Sequence, residues 1–354
     1  MNEYYTIDHL PGRTICLDGQ EYLFFSGTAY LGLPQHPDFQ ALLAGELGRY
    51  GAVFGSSRNG NLRLGVYEEA EVRLAAWTGA EAALTLSSGM MAGQVVMNGL
   101  KLQGETTFLY APNTHPAVWH EPRVSLPKLS FREWVADLPK HLRAAPGRVV
   151  IVANSIDAVR SEGHDFAWIR ELPRDRAITV VVDDSHGLGL LGPEGSGVLP
   201  TLPRPKGVRL LVTASLAKAM GLPGGVVLGT EADCDFLRKT AFFGACSPIP
   251  PVYLAAFCQA ESLYRTAYQT LRANVARAEA GLGPSGLFRQ AAGYPVFYTE
   301  DDNLYHFLLE RGMFIYSFAY PTADDKPNTR VVISAQHRPE DIDRLAEAVA
   351  AYRG

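Results

Sequence analysis

Lys218 is the residue of this chain whose setting is hardest to explain as structure alone. It lies in an apolar segment, Leu210-Leu-Val-Thr-Ala-Ser-Leu-Ala-Lys218-Ala-Met-Gly-Leu-Pro-Gly-Gly225, between two strand-like runs. Burial there would favour the neutral amine, which is the form that attacks a carbonyl to make a Schiff base. The blander fate is a lysine snorkelling to solvent, and the glycine-rich turn that follows argues against it. A second candidate is Asp183, which ends the apolar run Ile178–Val182 and opens Asp183-Asp184-Ser185-His186-Gly187. An acid at the end of a buried strand is costly unless it has a partner, such as a cationic ring nitrogen or a metal. A metal needs at least a third well-spaced ligand, and none is evident. A solvated Asp-Asp turn stays open as the structural alternative. The third is Leu84-Thr-Leu-Ser-Ser88-Gly89-Met90, where a strand stops and a helix starts. Backbone N–H groups at such a start, with a hydroxyl and a glycine that admits a ligand, form an anion cradle. Taken alone, the same residues are an ordinary serine N-cap.

Two further motifs mislead. Gly187-Leu-Gly189-Leu-Leu-Gly192 matches the dinucleotide fingerprint, but Pro193-Glu-Gly-Ser-Gly197 continues as loop where a helix should begin. No acid follows in Arg204–Val212 to hold a ribose, so the match is rejected. Ser215 and Lys218 spell SxxK, the nucleophile pattern of a serine acyl-transferase. That chemistry also needs SxN and KTG partners, and the nearest text, Lys239-Thr240-Ala241, lacks the glycine.

The elements that must position these residues are legible as alternation. Ala82–Leu86, Thr107–Tyr110, Val149–Val152, Ile178–Val182, Leu210–Thr213 and Val226–Leu228 read as short buried strands separated by helical or loop stretches. This predicts an α/β fold with a mostly parallel sheet covered by helices, where ligands sit beyond the carboxyl ends of the strands. Ahead of it, Asp18-Gly19 predicts a small hairpin, and Pro37 opens a helix. Past Phe243 a long helical run, Pro251 to about Gly281, leads into a smaller α+β domain. The expected division is residues 1–35, an N-terminal hairpin segment; 36–250, the large domain; and 251–354, the small C-terminal domain.

Composition narrows the partners. The 354 residues are 47% hydrophobic and 19% charged, which excludes disorder and suits about two domains. A net charge of −5 without clustered Lys or Arg excludes a nucleic-acid partner. Cys16, Cys234, Cys246 and Cys258 have no CxxC spacing, so reduced thiols in a cytoplasmic protein are expected. No apolar stretch suits a membrane span, and the first residues do not read as a secretory signal.

One ligand asks for all three constellations together: pyridoxal 5′-phosphate, with a phosphate for the helix start, a ring nitrogen for the carboxylate and an aldehyde for the lysine. The residues that carry a family resemblance appear in register. They are Tyr30-Leu-Gly-Leu with His36-Pro37, the Gly55-Ser-Ser-Arg58 loop, Ser88-Gly89, Asp183-Asp-Ser-His186-Gly with Gly192 and Gly197, and Ser215-Leu-Ala-Lys218 with Gly224-Gly225. From about Leu23 to the C-terminus the chain resembles the α-oxoamine synthases. The resemblance implies the fold type I architecture of PLP-dependent transferases and a homodimer with shared active sites. It also implies that the leading helix usual in the family is missing here.

Carried over residue by residue, the resemblance implies that Lys218 forms the Schiff base with the cofactor, Asp183 pairs with its ring nitrogen and His186 contacts its ring hydroxyl. His115, in Asn113-Thr-His-Pro, matches the histidine stacked on the ring face. Ser88, Gly89, Met90 and Ser215 match the phosphate donors, joined by Ser247 from the partner chain. Arg330 matches the arginine that clamps the amino-acid carboxylate. The implied reaction is condensation of an amino acid with an acyl-CoA, with loss of carbon dioxide. An aminotransferase or a Cα–Cβ lyase on the same fold is the alternative. Departures gather on the substrate side. Thr28-Ala29 replaces the Asn before Tyr-Leu-Gly-Leu, and Tyr67 replaces a His. Asn154-Ser-Ile-Asp-Ala-Val-Arg-Ser-Glu-Gly163 replaces the usual Glu-Gly-x-x-Ser-Met-Asp-Gly, and the chain is shortened around Tyr320–Pro327.

Overall fold

The computed structural model describes residues 5–319 and 327–353, which divide into two compact units. One comprises residues 40–156 and 164–261; the other comprises residues 1–39, 157–163 and 262–354.

The first unit is built on a six-stranded sheet in the order Ala82–Leu86, Gly225–Gly229, Val208–Ser215, Ile178–Asp183, Arg148–Asn154, Thr106–Tyr110. All strands run parallel except Gly225–Gly229, which is antiparallel to both neighbours. The central strands are near-continuous Val, Ile and Leu because both faces are covered. Helix Gly89–Lys101 supplies Val95, Val96 and Met97 to the core formed with Leu84, Val150, Val152, Val181, Leu211 and Val227. The loop after Gly187 makes only a short 3-10 turn at Pro193–Gly195, so no dinucleotide-binding helix starts there.

In the second unit the hairpin forms as read, Thr14–Leu17 against Gln20–Phe24, with Asp18 and Gly19 both at positive φ as a two-residue hairpin turn demands. Met313–Phe314 adds to it in parallel. A second sheet takes the order Val296–Thr299, Pro327–Val332, Tyr316–Ala319, all antiparallel. Met313–Phe314 and Tyr316–Ala319 are separated at Ile315, because they pair in different sheets. Residues 320–326, where the chain is shortened, lie outside the described residues.

The long helical run is also divided, into Pro251–Gln259 and Glu261–Leu282, at Ala260. No glycine or internal proline causes the break. The two helices live in different surroundings: the first is buried on nearly every side, while the second buries one stripe, Tyr264, Ala267, Leu271, Val275, Ala278 and Leu282. Among the described residues, no helix is long and apolar enough to cross a membrane. No group of three or more His, Cys, Asp or Glu comes together as a metal site among them, and the four cysteines are unbridged.

Candidate active site

Parallel strands ending at one edge bring the chemistry together. In the sheet register Asp183 stands between Asn154 on one neighbour and Thr213 on the other. Its side chain is buried, and Ser185 N–H donates to Oδ1 at 2.9 Å. Lys218 sits on the wide turn joining the antiparallel strands Val208–Ser215 and Gly225–Gly229. That turn is closed by Leu216 N–H to Gly224 O and Leu222 N–H to Leu216 O, both 2.9 Å. Leu216, Ala219, Met220 and Leu222 are buried and anchor the turn, while Lys218 is half-buried. His115 begins a 3-10 turn beyond the strand Thr106–Tyr110. Burial holds its imidazole below the ordinary histidine pKa; the Asp183 carboxylate opposes that shift and the Lys218 ammonium adds to it. The three groups share one electrostatic neighbourhood. Ala117 N–H donates to His115 Nδ1 at 3.1 Å, so the neutral ring carries its proton on Nε2.

Beside them lies the anion cradle. Ser88 is the N-cap of helix Gly89–Lys101, its Oγ accepting from Met91 N–H at 3.1 Å. The N–H groups of Gly89 and Met90 come ahead of the first N–H with an intrahelical acceptor, Ala92 to Ser88 O at 3.0 Å; the Met90 side chain itself is exposed. Space fixes the glycines here: a Cβ on Gly89 would lie 2.6 Å from Ser215 Cβ, and one on Gly225 would strike Ser88 O. Ser88, Gly89 and Ser215 are thereby pressed into one corner. First-turn N–H groups and two hydroxyls gathered in one corner fit the phosphate of pyridoxal 5′-phosphate, and Asp183 fits its ring nitrogen.

The remaining candidates are more scattered. His186 is half-buried on the turn after Asp183. Ser247 is exposed after helix Ala241–Ala245. In the second unit, Arg330 is 9% exposed and donates from Nη1 to Ala158 O at 3.3 Å. Asp184, next to Asp183, does a different job. It accepts Val198 N–H at 2.8 Å, and its oxygens fill the space that a Cβ on Gly187 or Gly197 would need. Burial pushes its carboxyl up to about 7. Gly187, the first glycine of the misleading dinucleotide match, thus makes room for a buried acid.

Support for His115 has little local signature in the sequence. Gly93, on the helix that carries the cradle, faces Ala117 O so closely that a Cβ would collide with it. Gln94 Nε2 donates to both Ala117 O and Trp119 O at 3.0 Å. Trp119 Nε1 donates to Thr114 O at 3.1 Å. Asn154 Oδ1 accepts His115 N–H at 3.2 Å, while Asn154 Nδ2 donates to Asn113 O at 2.7 Å. These residues are far apart in the chain and ordinary in type.

Comparison with known proteins shows the family. The sequence matches the aminotransferase class I and II family over residues 25–349. It is 32% identical to the 8-amino-7-oxononanoate synthase of Halorhodospira halophila, over 97% of this chain and 89% of that protein. It is 30% identical to the enzyme of the same name from Alkalilimnicola ehrlichii, over 99% of this chain and 92% of that protein. Among solved structures, the serine palmitoyltransferase from S. paucimobilis, which holds PLP, superposes with a TM-score of 0.83 at 20% identity, over 98% of this chain and 92% of that one. The 8-amino-7-oxononanoate synthase from Francisella tularensis gives 0.72 at 18% identity, over 94% and 97%. The chain therefore belongs to the aminotransferase class I and II family and, within it, to the α-oxoamine synthases, PLP-dependent enzymes of fold type I.

Proposed function

We propose that the chain joins an amino acid to an acyl thioester, taking up one proton and giving an α-amino ketone, carbon dioxide and the free thiol. The convergence of His115, Asp183 and Lys218 at one sheet edge is the observation that carries this reading. When bound, pyridoxal 5′-phosphate supplies the sink for the electron pair left on the substrate Cα. Lys218 would hold the cofactor through Nζ, and its free amine would be the base that accepts the α-proton. Asp183 keeps a proton on the pyridine nitrogen, which makes the sink deep. His115, neutral through burial, covers one ring face without adding a competing positive charge. Gly89, Met90, Ser88 and Ser215 fix the phosphate, and Arg330 orients the substrate carboxylate with its forked donors. His186 steadies the ring hydroxyl. Two copies complete the site, Ser247 of each reaching the other's cradle; a single-chain mass by sedimentation of the active enzyme would sink that part. Four unbridged thiols suit a reducing cytoplasmic setting.

Since the relatives near 30% identity are 8-amino-7-oxononanoate synthases, L-alanine with a pimeloyl thioester is the first pair to assay. The purified protein should absorb visible light, lose that band in Lys218→Ala, and release thiol only when both substrates are present. A band retained in Lys218→Ala overturns the lysine assignment. Conversion of the cofactor to its amine form by an amino donor alone, without thiol release, establishes an aminotransferase instead.

A further inference from the structure

We propose that Asn154 is a positioning residue that aims the His115 ring at the cofactor. The proposal rests on the reading of His115 as the residue on the ring face. Asn154 ends the strand Arg148–Asn154 and is the register neighbour of Asp183 on Ile178–Asp183. From that edge its side chain clamps the turn before His115 at two points. Oδ1 accepts His115 N–H at 3.2 Å, and Nδ2 donates to Asn113 O at 2.7 Å. A backbone N–H can only donate and a carbonyl can only accept, so the partners fix which way the amide faces. The turn needs such a clamp, because Asn113 sits at φ +57°, in the left-handed region that side chains rarely adopt.

The clamp is itself anchored. Asn154 O accepts from His164 Nδ1 at 3.0 Å, and the His164 ring stacks on Phe131 with centroids 3.9 Å apart and planes within 3°. Phe131 is the first residue of helix Phe131–Ala144, whose start carries a Ser130–Glu133 capping box. His115 is thus tied through Asn154 to a fixed aromatic layer. An amide does here what a carboxylate cannot. A carboxylate could accept from His115 N–H but would face Asn113 O with a second acceptor, and it would set a further negative charge beside Asp183. The Asn at this departure from the family's Glu is therefore a working part of this chain's site.

Two near-isosteric variants separate the clamp from mere packing: Asn154→Leu removes both hydrogen bonds, and Asn154→Asp keeps only the acceptor. In each, the holoenzyme is read by visible circular dichroism of the bound cofactor, by amide exchange over residues 113–117 and by kcat with KM. The expected result for Asn154→Leu is faster exchange at His115 N–H, a weakened dichroic band and kcat down about tenfold, the weight of a lost hydrogen bond. KM for the acyl thioester should be unchanged. Asn154→Asp should keep the exchange protection at His115 better yet lose kcat and dichroism comparably. Dichroism and kcat within about twofold of the parent in both variants would overturn the proposal, as would a fall in thermal midpoint alone. Lys218→Ala is the control: a visible band surviving there defeats the site reading itself, whereas its loss beside parent-like Asn154 variants defeats only the positioning role.

Discussion

His115 and His337 are both held below the ordinary histidine pKa by burial, yet they serve opposite ends. In the unit that carries the hairpin, His337 is 3% exposed and has both ring nitrogens committed to backbone: Nδ1 accepts Ser334 N–H, and Nε2 donates to Phe24 O, each at 3.0 Å. Its ring lies on Phe25 with centroids 4.4 Å apart, and its own carbonyl accepts from Asn274. It bolts the hairpin to the C-terminal segment. His115, half-buried in the other unit, spends one nitrogen on its own turn and lies within electrostatic reach of Asp183 and Lys218. Burial alone therefore does not separate the histidine proposed for the site from one that only holds the fold. What distinguishes them is whether the ring's polar atoms are already spent on the fold.

The largest expected effect breaks the catalytic side of that comparison. Asp183→Asn should bind cofactor and melt close to the parent while losing turnover by about 10²–10³, the range for deleting one group aimed at developing charge. Steady-state assays that found near-normal activity would remove Asp183 from the electronic role and leave the His115 neighbourhood without its acid.

The structural side is tested by acid. The buried His337 stays neutral down to about 4, whereas an unfolded chain takes up that proton near 6.5. Below pH 6.5 the unfolded state therefore binds the extra proton, and stability falls as pH drops toward 4, by at most about 3 kcal/mol from this group. Asp341 and Arg13 lie close enough to bias the value in opposite directions. Urea titrations at pH 7 and pH 5 should show the difference, and His337→Leu should flatten it. At pH 7 that variant should cost roughly 2–4 kcal/mol, since it strands Phe24 O and Ser334 N–H. A pH slope that persists in His337→Leu would assign the acid sensitivity elsewhere.

The same contrast explains what the sequence made legible. Asp183, Ser88-Gly89 and Lys218 stand on contiguous text at strand ends, where a short apolar run and the residues just after it carry both position and chemistry. The hairpin at Asp18-Gly19 and the strands of the six-stranded sheet are equally local. His337 carried no such signal, because its partners Phe24 and Asn274 come from distant stretches of chain. The break at Ala260 and the split at Ile315 follow from packing and sheet pairing, with no glycine or proline to announce them. Asn154 was visible only as a departure from a family pattern; its hydrogen bonds turn that departure into a function.

The smallest effect is the most discriminating for how His115 is held. Gly93 lies inside a well-formed helix, where glycine is worse than alanine by up to about 1 kcal/mol on propensity alone. Were the helix all that mattered, Gly93→Ala would stabilise the protein. Its Cβ, however, would collide with Ala117 O, and that carbonyl is also the acceptor for Gln94. The turn bearing His115 must move aside, and backbone yields less readily than the tip of a side chain. Gly93→Ala is therefore expected to lose about 1–3 kcal/mol, the usual cost of overpacking, and to lower kcat several-fold. Lys218 and Asp183 lie outside this contact, so cofactor should still bind. A variant more stable than the parent with full turnover would show that the turn tolerates displacement, and that the ring's aim depends on the Asn154 side of the clamp alone.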